Sequence, residues 1–225
     1  MPRAVRKAAS LRSGKPKART APARSTYHHG NLHRALIDAA LRILQAEGSA
    51  ALSLRGAARA AGVSQAAPYR HFADKEQLLA AVAEAGFRSL NAAALAATAG
   101  LERDLVNRFL MQGQTYVSFA VAHPAQFRLM FGRELAGRSE HPGLEAAAEE
   151  TFARLLGAVR EGQAAGLLRP GDPMDQAMAA WSMVHGLSSL LVDGRLAPRD
   201  EPLEAFAFRA LQYLFLGLRS DKIAP

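Results

Sequence analysis

Apolar side chains first recur at helical spacing from Leu32, with Ala35, Leu36, Ala39, Ala40, Ile43 and Leu44 on one face. A stripe of that period predicts an amphipathic helix, and Gly48 predicts its end. Ser53 then stands before Leu54, Ala57, Ala58 and Ala61, the pattern of a short helix with a hydroxyl N-cap. Gly62 permits a tight turn, and Ser64 is placed to cap a third helix from Gln65 to about Phe72. Asp74 with Gln77 reads as a capping box opening a long helix over 75–98. Further helices fit 102–122, 124–132, 142–165, 173–193 and 202–219, with Pro142, Pro173 and Pro202 at expected starts. No alternating strand pattern and no internal repeat interrupts them. The expected class is all-α, with about nine helices.

Charge changes this picture once it is located along the chain. Residues 1–26 hold eight basic and no acidic residues, and 27–72 add five basic against two acidic. The remainder carries 15 basic and 18 acidic residues, so the whole excess of +8 lies in the first third. That asymmetry points to a polyanion partner there. The first 26 residues have few large hydrophobes to offset the entropy of ordering, and they are expected to be a disordered basic arm. No apolar run approaches the ~18–20 residues needed to span a bilayer. The polar stretch after the N-terminus is unlike a secretory signal. Cysteine is absent, which excludes disulfides and thiolate metal sites and fits a cytoplasmic location.

The segment SLRGAARAAGVSQAAPYRHF at 53–72 carries the candidate chemistry. Two short helices joined by a three- or four-residue turn containing glycine form a helix-turn-helix. Pro68 and Phe72, four apart, should face inward, leaving Gln65, Ala66, Tyr69 and Arg70 toward solvent or a major groove. Gln65 suits adenine N6/N7, Ala66 a thymine methyl, and Arg55 guanine O6/N7 or a phosphate. Tyr69 and His71 suit phosphate. Ser53 and Lys75, at helix N-termini, are placed to hold phosphate oxygens.

Residues 27–80 resemble the DNA-binding domain of TetR-type regulators. YHHGNL at 27–32 resembles the opening of one subgroup, and AGVSQAAPYRHFADKEQLL at 61–79 is similar to the family's recognition signature. The resemblance implies a three-helix DNA head (27–90 with its linking helix) and a larger helical ligand-binding and dimerising body (91–225). It places Gln65, Ala66, Tyr69 and His71 at DNA-facing positions, Lys75 at a phosphate contact and Arg55 at a base or backbone contact. Pro68 departs from the commoner Leu. HPAQFRLMFG at 123–132 and WSMVHGL at 181–187 resemble a subclass named for a Trp…His-Gly motif.

In the body, 173–193 is apolar on almost every side, and the last helix is apolar over more than one face. Together they predict a two-fold homodimer through the last two helices. Phe109, Tyr116, Phe127, Met130, Phe131, Trp181 and His185 are candidate lining for a pocket that takes a small apolar or amphipathic effector, with ordinary core packing as the competing assignment for each. His29 and His33, four apart, lack a third ligand nearby, so no metal or cofactor is expected. Ser182 and His185 lack a neighbouring carboxylate orienter, and no Gly-rich phosphate loop or GxSxG is present, so no enzyme is expected. The expected function is a sequence-specific regulator of a double-stranded DNA operator, nucleoid-associated when bound and without a membrane partner. Repression relieved by the effector is the family default. The alternative is a non-specific nucleic-acid-binding or nucleoid-associated protein acting through the basic arm.

Overall fold

The computed structural model describes residues 29–135, 140–198 and 200–220. The basic arm at 1–26, and Tyr27 and His28 of the opening motif, lie outside the described residues. Eight α-helices follow in order: α1 (His29–Glu47), α2 (Leu54–Ala60), α3 (Lys75–Thr98), α4 (Leu105–Ala122), α5 (Pro124–Phe131), α6 (Pro142–Ala164), α7 (Pro173–Val192) and α8 (Leu203–Leu218). Three 3-10 turns add Ser49–Ala51, Pro68–Arg70 and Arg133–Leu135. Among the described residues there is no strand; a single bridge pairs Leu168 with Arg219.

Capping residues set the ends much as the sequence signalled. Ser53 accepts from Gly56 N at 3.0 Å, Asp74 from Gln77 N at 2.9 Å and Asp104 from Asn107 N at 3.0 Å. The Gln77 side chain accepts from Ala73 N at 3.0 Å, one residue earlier than a strict capping box. Helix α4 starts at Leu105 rather than 102, where Asp104 serves as the N-cap by accepting from the N–H of Asn107. Pro202 is the residue before α8, extended at φ −60 and ψ 147, not its first turn.

The third expected helix, Gln65 to Phe72, is the main departure. Ala67 N donates to Ser64 O at 2.9 Å, and a 3-10 turn over Pro68–Arg70 follows. A regular helix would need residue 68 to donate to the Ser64 carbonyl. Proline has no N–H, and its ring crowds that carbonyl. Ser64 therefore opens this segment through its carbonyl, not through a hydroxyl cap.

Helix α3 is the spine. It packs against α1 at one end and against α4, α5 and α6 along the rest, and it runs unbroken through the expected boundary at 90/91. One continuous apolar core follows it, from Leu36, Leu54 and Phe72 in the head through Leu78, Val82 and Phe87 to Met130 and Leu211 in the body. Each such fully buried side chain contributes about 1.5–3 kcal/mol relative to exposure. By length and composition α3 could also cross a bilayer, which the run-length reading overlooked, but half of its apolar window is buried inside the fold. Gly86 sets how closely α3 and α5 approach: a Cβ there would lie 2.6 Å from Met130 Sδ and 3.1 Å from the Gln126 side chain. Beside it, Gln126 Nε2 donates to Val82 O at 2.9 Å in the buried interface.

Candidate functional site

Two places combine exposure, cavity and chemistry: the head around α2 and a cavity in the body. In the head, α2 ends in a Schellman turn. Gly62, at φ +70, donates to Arg59 O at 3.1 Å, and Val63 N donates to Ala58 O at 3.0 Å. The segment after the turn packs back against α2. Pro68 and Phe72 are buried and act as its anchor. Ser64, Gln65, Ala66, Tyr69 and Arg70 are exposed on the opposite side, as are Ser53, Arg55 and Arg59. Tyr69 is 53% exposed, a position where a residue chosen for core packing would lose its apolar contribution.

His71 and Lys75 are placed differently. His71 is half-buried, its ring 5.7 Å from His33 and 6.4 Å from Phe72. It sits beneath the exposed face and supports it. Lys75 is half-buried at the start of α3, and its Nζ donates to Ala50 O at 3.4 Å. That bond joins the α1–α2 connection to α3. Between 53 and 75 the cations Arg55, Arg59, Arg70 and Lys75 face a single carboxylate, Asp74, which is committed to capping α3. The Ser53 cap uses a lone pair and leaves its hydroxyl proton available to an outside acceptor. The surface is therefore cationic, carries base-competent amide and guanidinium groups, and rests on a rigid apolar base.

In the body, α3, α4, α6, α7, α8 and the end of α5 line a half-open cavity of about 450 Å³. Helix α3 contributes Phe87, Leu90, Asn91 and Ala94, a helical stripe from its second half. Of the seven expected lining residues, Phe109, Tyr116, Phe131 and Trp181 line the cavity. Phe127, Met130 and His185 stand outside its lining. Met130 is fully buried. Phe127 and His185 back the wall, with His185 ring centroids 5.4 Å from Phe127, 4.7 Å from Phe131 and 5.5 Å from Trp181.

The Tyr116 hydroxyl lies 2.9 Å from His185 Nδ1. Burial pushes the Tyr116 hydroxyl well above its ordinary range and pulls His185 below its own. Near neutrality both groups are therefore uncharged, and they share one hydrogen bond. The pair braces α4 against α7 and leaves the cavity wall aromatic.

The cavity's polar residues were not found by sequence reasoning. Asn91 is 4% exposed; its Nδ2 donates to Ala147 O at 3.3 Å, and its Oδ1 has no partner. Arg154 donates from Nη2 to Glu150 at 2.7 Å, while its Nε is buried and unpartnered. A buried acceptor left unmet costs about 1–3 kcal/mol. The available signal was a lone Asn among Phe87, Leu90 and Ala94 on the inward face of a helix that otherwise reads as core.

A family model described as bacterial regulatory proteins, tetR family, matches residues 36–82. A model described as a tetracyclin repressor-like C-terminal domain matches 109–214. No curated protein matches the sequence significantly. A structure of a protein of unknown function from Rhodococcus sp. RHA1 is 37% identical, with a TM-score of 0.76, covering 87% of this chain and 99% of that one. A TetR family transcription regulator from Marinobacter aquaeolei VT8 is 24% identical, with a TM-score of 0.64 over 84% of this chain and 96% of its own. The flavonoid-responsive regulator FrrA is 27% identical, with a TM-score of 0.58 over 86% of this chain and 100% of its own.

Proposed function

The chain belongs to the TetR family of bacterial transcription regulators, and from that premise we propose that it is a repressor that binds a specific DNA operator as a homodimer and is released by a small molecule. Gln65, Ala66, Tyr69, Arg70 and Arg55 read base edges or flank them, while Ser53, Ser64 and Lys75 hold phosphates at the rim. His71 acts from beneath. The observation that carries this reading is the split at Pro68: its ring and Phe72 are buried while the four residues around them face outward.

The dimer joins through α7 and α8. Met174, Met178 and Leu190 on α7, and Tyr213 and Leu216 on α8, are 43–69% exposed in the single chain. An apolar face of that extent is covered by a partner in a stable soluble assembly. The cavity takes the effector, and α3 connects it to the head: Asn91 and Lys75 sit on one helix, 16 positions or ~24 Å apart. A ligand that tilts α3 changes the spacing of the two heads, and by linkage DNA weakens the ligand equally. One of the similar structures is described as responsive to flavonoids, which supports a small-molecule effector here. The protein acts in the cytoplasm on the nucleoid.

The test is selection of duplexes from random sequence by the purified full chain, followed by anisotropy titrations at fixed salt. The reading expects a preferred sequence bound ~10³-fold or more above random duplex. Equal affinity for all duplexes, falling steeply with salt, would instead support non-specific binding through the basic arm.

A further inference from the structure

Resting on the reading of the body cavity as an effector site, we propose that its ligand is a cation, an aromatic ring system carrying one ammonium group, and that Glu145 and Glu149 select the charge. The half-open cavity of about 450 Å³ falls within the range of sites that take drug-sized ligands, about 300–1,000 Å³. Phe87, Phe109, Tyr116, Phe131, Phe152 and Trp181 line it. Aromatic walls bury the apolar surface of a ring-containing ligand, and the negative faces of such rings attract a positive group.

The selecting charge lies on α6. Glu145, Ala148, Glu149 and Phe152 recur at i, i+3, i+4 and i+7, and they line the cavity from one face of that helix. The two carboxylates are therefore one turn apart, and among the described residues neither has a hydrogen-bond or ion-pair partner. Glu145 stands in the first turn of α6, where a negative charge suits the helix N-terminus. Glu149 has no such role, and a like-charge pair at that spacing is unfavourable until a cation joins it. Arg154 is the one cation among the described lining residues, and its Nη2 donates to Glu150 at 2.7 Å, which offsets its charge.

The uncharged polar groups do not decide the sign. Gln112, half-buried on α4, lines the cavity with no partner among the described residues. Its amide both accepts and donates, so it serves an ammonium N–H and a carboxylate oxygen alike. Asn91 Oδ1 and Arg154 Nε have essentially no exposed surface and lie beyond the reach of a ligand. Tyr116 is engaged with His185, and Thr151 Oγ1 gives its proton to Ala147 O at 3.0 Å, which leaves it acceptor capacity alone. The long-range field works against a cation, because the whole chain carries +8. A preference for positive ligands therefore has a local source, the two carboxylates on α6.

The experiment uses three probes of one skeleton, biphenyl-4-ylmethylammonium, biphenyl-4-ylmethanol and biphenyl-4-carboxylate, in equilibrium dialysis against the full chain at neutral pH and fixed salt. The ammonium is expected to bind about tenfold or more tightly than either of the others. In the double variant Glu145→Gln, Glu149→Gln, checked for retained helicity by circular dichroism, its advantage over the alcohol should shrink to within about threefold while the alcohol's own affinity holds. Should that variant fail to fold, Glu149→Gln alone, at an exposed position, is expected to lower the same advantage about twofold or more. The alcohol equal to the ammonium, the carboxylate equal or tighter, an advantage that survives both substitutions, or no binding of any probe each overturns the proposal. Operator binding is measured in parallel without probe. Loss of sequence preference there refutes the regulator reading while the dialysis ratios stand on their own. Ammonium binding that leaves operator affinity unchanged refutes effector release alone.

Discussion

At Pro68 a single missing proton shapes the exposed face of the head. Without an N–H for the Ser64 carbonyl, residues 64–71 form successive turns rather than a helix. Pro68→Leu restores that donor, and the Cα chemical shifts of 65–71 are expected to move toward helical values; unchanged shifts would show that packing, not the proline, sets the turn. The same scale governs His185. Burial lowers its folded pKa below the ordinary 6.5, so the folded state prefers neutral imidazole. Its contribution is fully present above about pH 6.5 and is lost as pH falls toward the folded value, where the unfolded chain binds the proton more readily. Thermal melts should therefore fall between pH 7.5 and 5.5, and His185→Gln, which keeps a hydrogen-bonding partner for Tyr116, should fall less. Equal slopes for both proteins would contradict this. Side chains of this kind were legible where type and spacing spoke together, as at Ser53, Gln65 and Tyr69. His71 read as outward from its place in the motif, yet its ring packs on His33, a contact made across two helices that no local pattern encodes.

Among elements, α2 and α3 begin at the Ser53 and Asp74 caps that the sequence signalled, α4 begins three residues after its expected start, at the Asp104 cap, and the segment lacking a usable donor at Pro68 is not a regular helix. Ser53→Ala removes the α2 cap and is expected to cost about 1 kcal/mol in urea melts. The α3–α5 crossing was invisible to periodicity, because glycine at 86 looks like a mild defect in a long helix rather than a point of contact. Gly86→Ala places a methyl where Met130 Sδ and Gln126 now sit. It should destabilise by about 1–3 kcal/mol, and a neutral result would mean that Met130 moves freely. The cavity was half legible for a similar reason. Its aromatic wall stood out as a set of large residues on α4, α5 and α7. Asn91 and Arg154 gained meaning only when α3 and α6 were brought together, since a lone polar residue on an apolar face reads as tolerated core.

Over the whole molecule, the account needs two heads held at a fixed separation. The apolar breadth of α7 and α8 was plain in the sequence, and in the single chain Tyr213 remains 69% exposed and Leu216 47%. Leu216→Arg is expected to shift the sedimentation mass from dimer to monomer and to weaken operator binding with it; a dimer that survives would move the interface elsewhere. The central claim is that the face around Gln65 reads bases, twice per dimer. Hydroxyl-radical footprinting on a selected operator tests it most directly. Two protected patches centred ~34–36 Å apart along one face of the duplex are predicted, with the base-pair preference under one patch pair relaxed by about 1–3 kcal/mol in Gln65→Ala. Uniform protection along the duplex, unchanged by that substitution, would contradict the account.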